Sequence, residues 1–137
     1  MRLRLRALDR GEPDHEMIWL MVTVFAAAAG LSWLWLHLPV PQCNFRALFG
    51  IPCFTCGSTR AVLALAHGDF SGAWHFNPLA TVALCAITVF DVYAAAVLLS
   101  GAPRVRLSFG SARQRRIALS LLLSAGLLNW VYLLVQR

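Results

Sequence analysis

Three long apolar runs dominate the chain, approximately Met17 to Leu38, Pro78 to Ser100 and Ile117 to Val135, and polar and turn-forming residues return only between them. Each run supplies the roughly 20 residues a helix needs to cross a hydrocarbon core about 30 Å thick. The pattern predicts three transmembrane helices. A mixed-charge tail, residues 1–16, precedes the first, which closes on Trp33, Trp35 and His37, side chains suited to the headgroup layer. That run is long for a signal-peptide core, and no small-x-small cleavage site follows it closely. It reads as a retained span, with a signal anchor as the variant.

The segment from residue 39 to residue 77 is too polar to cross a bilayer and too apolar to be a solvated linker. Pro39 and Pro41 end the first helix by removing amide donors and restricting their neighbours, so the chain is expected to leave it extended. Gly50-Ile51-Pro52 reads as a turn. Thr55 or Ser58 is expected to cap a short helix with body Arg60 to Ala66, closed by Gly68. At about ten residues this helix falls short of spanning, which predicts a re-entrant or interfacial position. Asp69 to Phe76 begins with a capping residue and carries Phe70, Trp74 and Phe76, a second short helix for the headgroup layer. Asn77-Pro78 then supplies a cap and a proline at the first helical position, the start of the second span. The expected fold class is an all-α integral membrane protein, with short re-entrant or interfacial helices in its first loop and a single membrane domain over 17–137.

Composition agrees: 59% of the 137 residues are hydrophobic and 13% charged, against about 25% charged in soluble globular proteins. A net charge of +6 would suit a nucleic-acid binder, but all the basic residues are arginines and most flank the apolar runs. Orientation in a membrane explains that placement, and no nucleic-acid partner is expected. Arg2, Arg4, Arg6, Arg10, Arg104, Arg106, Arg113, Arg115 and Arg116 fall on one side of the predicted spans, and Arg46, Arg60 and Arg137 on the other. The positive-inside rule puts the N-terminus in the cytoplasm, with the loop and the C-terminus outside.

The candidate chemistry lies in that loop, where Cys43, Cys53 and Cys56 fall within a short stretch rich in glycine and arginine. Three readings stand beside one another. A disulfide between two of the three thiols would staple a loop that lacks its own core, and an oxidising compartment favours it. A zinc site would take the three cysteines with His67 or His75. Direct thiol–disulfide exchange would use Cys53 and Cys56, since the exposed amides of a following helix favour a thiolate, although no βαβ pattern surrounds the pair. Cys85, inside the second run, reads as a small apolar residue.

Arg60 is placed to meet an anion such as a lipid headgroup with help from the amides of 57–59, or else to snorkel or pair with Asp69. Asp91, within the second run, costs at least about 2.5 kcal/mol to insert if ionised, so it must face protein, water or a partner. It reads either as a functional acid, for proton handling or partner contact, or as a hydrogen-bonded group that joins helices through Asn129 or Tyr93. No Ser-His-Asp spacing, paired carboxylates, H-E-x-x-H motif or phosphate-binding glycine loop is present, and a hydrolytic enzyme is disfavoured.

Cys43, then Gly50-Ile51-Pro52-Cys53-x-x-Cys56-Gly57-x-Thr59-Arg60-Ala61, then Gly68-Asp69 and Asn77-Pro78, form an ordered series. Over about residues 43 to 90 this series resembles the bacterial membrane-protein family catalogued as domain of unknown function 2752. The pair there usually reads Cys-Pro-x-Cys-Gly, and here Phe54 stands in place of the proline. The resemblance implies a small multispan protein of a bacterial cytoplasmic membrane, defined by its motif loop and without an established activity. The combined expectation is an accessory or interaction subunit that meets another membrane protein or a second copy of itself, its loop held by a disulfide or a metal. The alternative is a thiol–disulfide or metal-handling protein working through the C-x-x-C pair.

Overall fold

Asp14 accepts a hydrogen bond from the Met17 amide and thereby starts the first helix, α1 (His15–Trp35), two residues ahead of the apolar run. The computed structural model describes residues 2–6, 13–39, 42–108 and 111–136, by backbone alone at 2–6 and 106–108. The expected roles of Arg10, Pro41 and Arg137 lie outside the described residues. The remaining order is β1 (Arg2–Arg6), α2 (Asn44–Phe49), α3 (Ser58–Ala66), α4 (Phe70–Phe76), α5 (Pro78–Ser100), β2 (Arg104–Ser108) and α6 (Ala112–Val135). Helices α1, α5 and α6 are long and apolar enough to cross a membrane, and large apolar side chains such as Phe25, Val89 and Leu128 are exposed along them. Surface of that kind requires a lipid environment, because water would expel it. The chain is a multispan helical membrane protein.

Its residues divide into two units. The first, residues 1–40 and 87–112, holds α1, the later part of α5 and both strands. β1 pairs antiparallel with β2, with Arg4 opposite Arg106 and Arg6 opposite Arg104. This ribbon was not expected, yet Arg-Leu-Arg-Leu-Arg and Arg-Val-Arg-Leu-Ser both alternate with the period of a strand. Reading those arginines only as orientation signals hid the alternation. Arg104 pairs with Asp14 and also reaches Glu16 at 3.4 Å, which compensates an acid that is 2% exposed.

Within the same unit Thr23 donates from its hydroxyl to Oδ1 of Asp91 at 3.0 Å, and Trp19 meets Phe90 edge-on with centroids 6.1 Å apart. The companions of Asp91 therefore differ from the expectation. Tyr93 accepts from the Val105 amide at 2.8 Å, and Asn129 is engaged with the cysteine loop.

The second unit, residues 41–86 and 113–137, contains α2, α3, α4, the start of α5 and nearly all of α6. Helix α2 replaces the extended exit expected after the first span. Cys43 caps it, accepting from the Arg46 amide, and Gly50 ends it in the left-handed region at φ 68°. Helices α3 and α4 pack against each other, and the start of α3 lies against the end of α4, since a Cβ on Gly57 would fall 2.5 Å from the Phe76 carbonyl oxygen. Gly57, at φ +85°, is the N-cap of α3, and no side chain caps it. Thr55 and Ser58 do not play that part: the cap needs a left-handed residue without a Cβ, and glycine alone satisfies both demands. Asp69 caps α4 as expected, through the Gly72 amide at 2.8 Å.

Candidate metal centre

The backbone around the cysteines forms a chain of tight turns. The Cys56 amide donates to the Cys53 carbonyl at 3.1 Å, and the Ser58 amide donates to Thr55 at 3.0 Å, so the C-x-x-C stretch is wound up before α3 begins. The Cys53 amide in turn donates to Sγ of Cys56 at 3.1 Å. Cys43, at the start of α2, is brought back onto this turn. Its Sγ lies 3.3 Å from that of Cys53, which lies 3.4 Å from that of Cys56. All three sulfurs fall within 4.8 Å of one another, and each residue is half-buried. They are free thiols in this structure.

Spans and loop are joined by polar side chains from both flanking helices. Asn77, 1% exposed, donates to the carbonyls of Phe54 and Cys56 at 3.3 and 3.0 Å, and its Oδ1 caps α5 by accepting from the Ala80 amide at 3.0 Å. Asn129 of α6 accepts from the Leu79 amide at 3.0 Å and donates to the Phe54 carbonyl at 3.4 Å. Its neighbour Trp130 donates to the Pro52 carbonyl at 2.9 Å and lies 5.2 Å, centroid to centroid, from the Phe54 ring. The carbonyls of residues 52, 54 and 56 are thus all held by side chains of the spans or of their cap. A buried carbonyl without a partner would cost on the order of 1–3 kcal/mol, so these contacts fix the loop's course.

The environment separates the two cysteines of the pair. Cys53 accepts from the Thr55 hydroxyl at 3.4 Å and from its two neighbouring thiols, and its pKa is lowered from 9.0 to about 7. Burial pushes Cys56 up to about 11, reinforced by the hydrogen bonds it gives to Cys53 and Cys43. The favoured thiolate is therefore Cys53, and Cys56 runs opposite to the expectation because desolvation outweighs the helix amides.

His75 does not join the sulfurs. Its Nδ1 lies 3.3 Å from Nε2 of Gln136, and its carbonyl accepts from the Tyr132 hydroxyl at 3.4 Å. His67 ends α3 and is exposed. Among the described residues the metal-capable group is Cys43, Cys53 and Cys56. Arg60 holds its guanidinium over the Phe76 ring, 6.0 Å from the centroid, and Asp69 serves α4. Pro52 is buried and offers its carbonyl to Trp130, Thr59 lies exposed in the first turn of α3, and Gly50, Gly57 and Gly68 take the left-handed corners that delimit α2 and α3. Pro78 opens α5 as expected. Reasoning from sequence missed Trp130, Thr55 and Thr81, which is fully buried with its hydroxyl on the Asn77 carbonyl at 2.9 Å. A tryptophan directly after the polar Asn129 within an apolar run was the available signal for Trp130.

Residues 43–90 match the family described as Protein of unknown function (DUF2752). No curated protein and no solved structure matches the chain.

Proposed function

We propose that this protein is an accessory subunit of a bacterial cytoplasmic membrane, with its N-terminus in the cytoplasm, whose extracytoplasmic cysteine loop holds a metal ion and meets another membrane protein or a second copy of the chain. The observation that carries this reading is the convergence of all three loop sulfurs, Cys43, Cys53 and Cys56, within 4.8 Å. A disulfide would use two of them and leave a third in contact with the bridge. One metal ion uses all three, and thiolate sulfur at about 2.3 Å from a common centre is a donor set of high affinity for thiophilic ions. Partner contact is supported by the large apolar surface exposed along the three spans, and orientation by the arginine distribution.

The test is metal analysis of protein purified from its native membrane in neutral detergent, with mass spectrometry of thiol state on the same sample. One metal per chain with three reduced loop thiols is the expected result. A metal-free protein with a disulfide between any two of the three returns the loop to the covalent reading, and reduced thiols without metal defeat both.

A second reading has its own observation, the divergence of Cys53 to about 7 and Cys56 to about 11. An attacking thiol is most effective with a pKa near ambient pH. Cys53 would attack a substrate disulfide and expel one substrate thiolate. Cys56 would then give up its proton and attack Cys53, expelling the second, so that the substrate is reduced by two electrons and the pair oxidised. A mixed disulfide trapped on Cys53 in a Cys56→Ser variant would establish it.

A further inference from the structure

We infer that the three-cysteine site binds a soft monovalent cation, copper(I) in chemical class, and binds it reversibly rather than as a structural staple. The inference rests on the metal reading above and specifies its ligand.

The donor set decides the class of ion. Among the described residues the group comprises three sulfurs, with no imidazole or carboxylate within the same reach. Of the two histidines that the loop offers, His75 is turned to Gln136, just beyond α6, and His67 ends α3 exposed. Structural zinc is almost always four-coordinate and tetrahedral, and it would need a donor from outside this group. A soft monovalent d10 ion is satisfied by a trigonal set of sulfurs, and thiolate ligands select for it. The complex of three thiolates with one positive charge is anionic. The half-exposed position keeps that charge hydrated.

Support from the spans decides reversibility. Small structural metal sites fold only with their ion because nothing else orders the ligands. Here Asn77, Asn129 and Trp130 hold the carbonyls of Pro52, Phe54 and Cys56, and Gly57 locks the end of the turn against Phe76. The course of the loop that carries the sulfurs is fixed by these contacts with the spans. A preformed and half-exposed set can load and release its cation without unfolding the loop. On loading, each protonated thiol gives its proton to solvent and a sulfur–metal bond forms in its place, with no change of oxidation state.

The experiment uses the full chain, purified in detergent, reduced, freed of reductant and kept without oxygen. It is titrated separately with copper(I) as its acetonitrile complex and with zinc(II), each against a competing chromogenic chelator. Far-ultraviolet circular dichroism is followed throughout, and X-ray absorption is recorded on the loaded protein. Expected are one copper(I) per chain with three sulfur neighbours, full helicity before loading, and no effect of His75→Ala. Each of Cys43→Ser, Cys53→Ser and Cys56→Ser should weaken binding by at least about 100-fold, the upper size of losses from changes outside the ligand shell. Should a serine variant misfold, the sulfur count on the unaltered protein still decides. Zinc held in a four-coordinate site that includes a nitrogen, or helicity that appears only on loading, overturns this inference and leaves the metal reading standing. Binding of neither ion overturns both.

Discussion

Trp130, near the end of α6, donates its indole N–H to the carbonyl of Pro52 at 2.9 Å, and so a side chain of the last span grips the residue directly ahead of Cys53. Asn129 beside it holds the Phe54 carbonyl on the other side of that cysteine. One helical turn thus brackets the first sulfur of the pair. Trp130→Phe removes the donor while keeping the ring against Phe54, and the expected cost is about 1 kcal/mol. Asn129→Leu also deprives the Leu79 amide of its acceptor, and about 1–3 kcal/mol is expected. Urea unfolding in detergent, followed by tryptophan-independent circular dichroism, checks the order of the two.

Gly57 and Gly68 provide a matched pair. Both have positive φ, at 85° and 76°, but a Cβ on Gly57 meets the Phe76 carbonyl oxygen at 2.5 Å while one on Gly68 meets nothing within 4 Å. Gly68→Ala should cost about 1–2 kcal/mol from left-handed strain alone. Gly57→Ala carries the same strain and also displaces α4 from the start of α3, so it should be the more destabilising and should raise the alkylation rate of the loop thiols. Equal losses at the two positions would mean that the hairpin of α3 and α4 does not depend on this close approach.

In the first unit, Thr23 and Asp91 form a polar contact between two predicted spans. Hydrogen bonds of this kind inside membranes average about 0.6 kcal/mol and reach about 1.7. A double-mutant cycle with Thr23→Val and Asp91→Leu, each of which removes the hydrogen bond, should return a coupling in that range. A zero coupling with a large single effect at Asp91 would assign that carboxylate to something other than Thr23.

Periodicity and length made the architecture legible. The second span begins at Pro78 and ends at Ser100 as read, because Asn77-Pro78 is a start signal with few alternatives. The third begins five residues before the expected Ile117, since Arg113, Arg115 and Arg116 are good helix formers and an apolar-run criterion excludes them. Helix α2 escaped notice because its cap is a cysteine, Cys43, whose thiol was weighed only for its chemistry. The gathering of the three sulfurs was within reach of spacing arguments, whereas the support of the turn was not. Asn129 and Trp130 lie more than seventy residues from the carbonyls they hold, and no local pattern encodes such a contact.

Proton linkage gives the sharpest test of the sulfur environment. The Thr55 hydroxyl and neighbouring thiols lower Cys53 to about 7, so its thiolate is stabilised by the fold. A depressed acid contributes stability that is complete above its ordinary value of 9.0 and is lost as the pH falls through about 7. Alkylation of the unloaded protein by iodoacetamide should therefore show a component with a midpoint near pH 7. Cys53→Ser should abolish it, and Thr55→Val should move it upward. Cys56, held up to about 11, stays protonated across the same range and must release a proton to any metal. Apparent affinity for copper(I) should then rise by at least about tenfold per pH unit between pH 7 and 9, as one displaced proton requires. A flat profile there would show that no protonated thiol is displaced, which excludes Cys56 as a ligand.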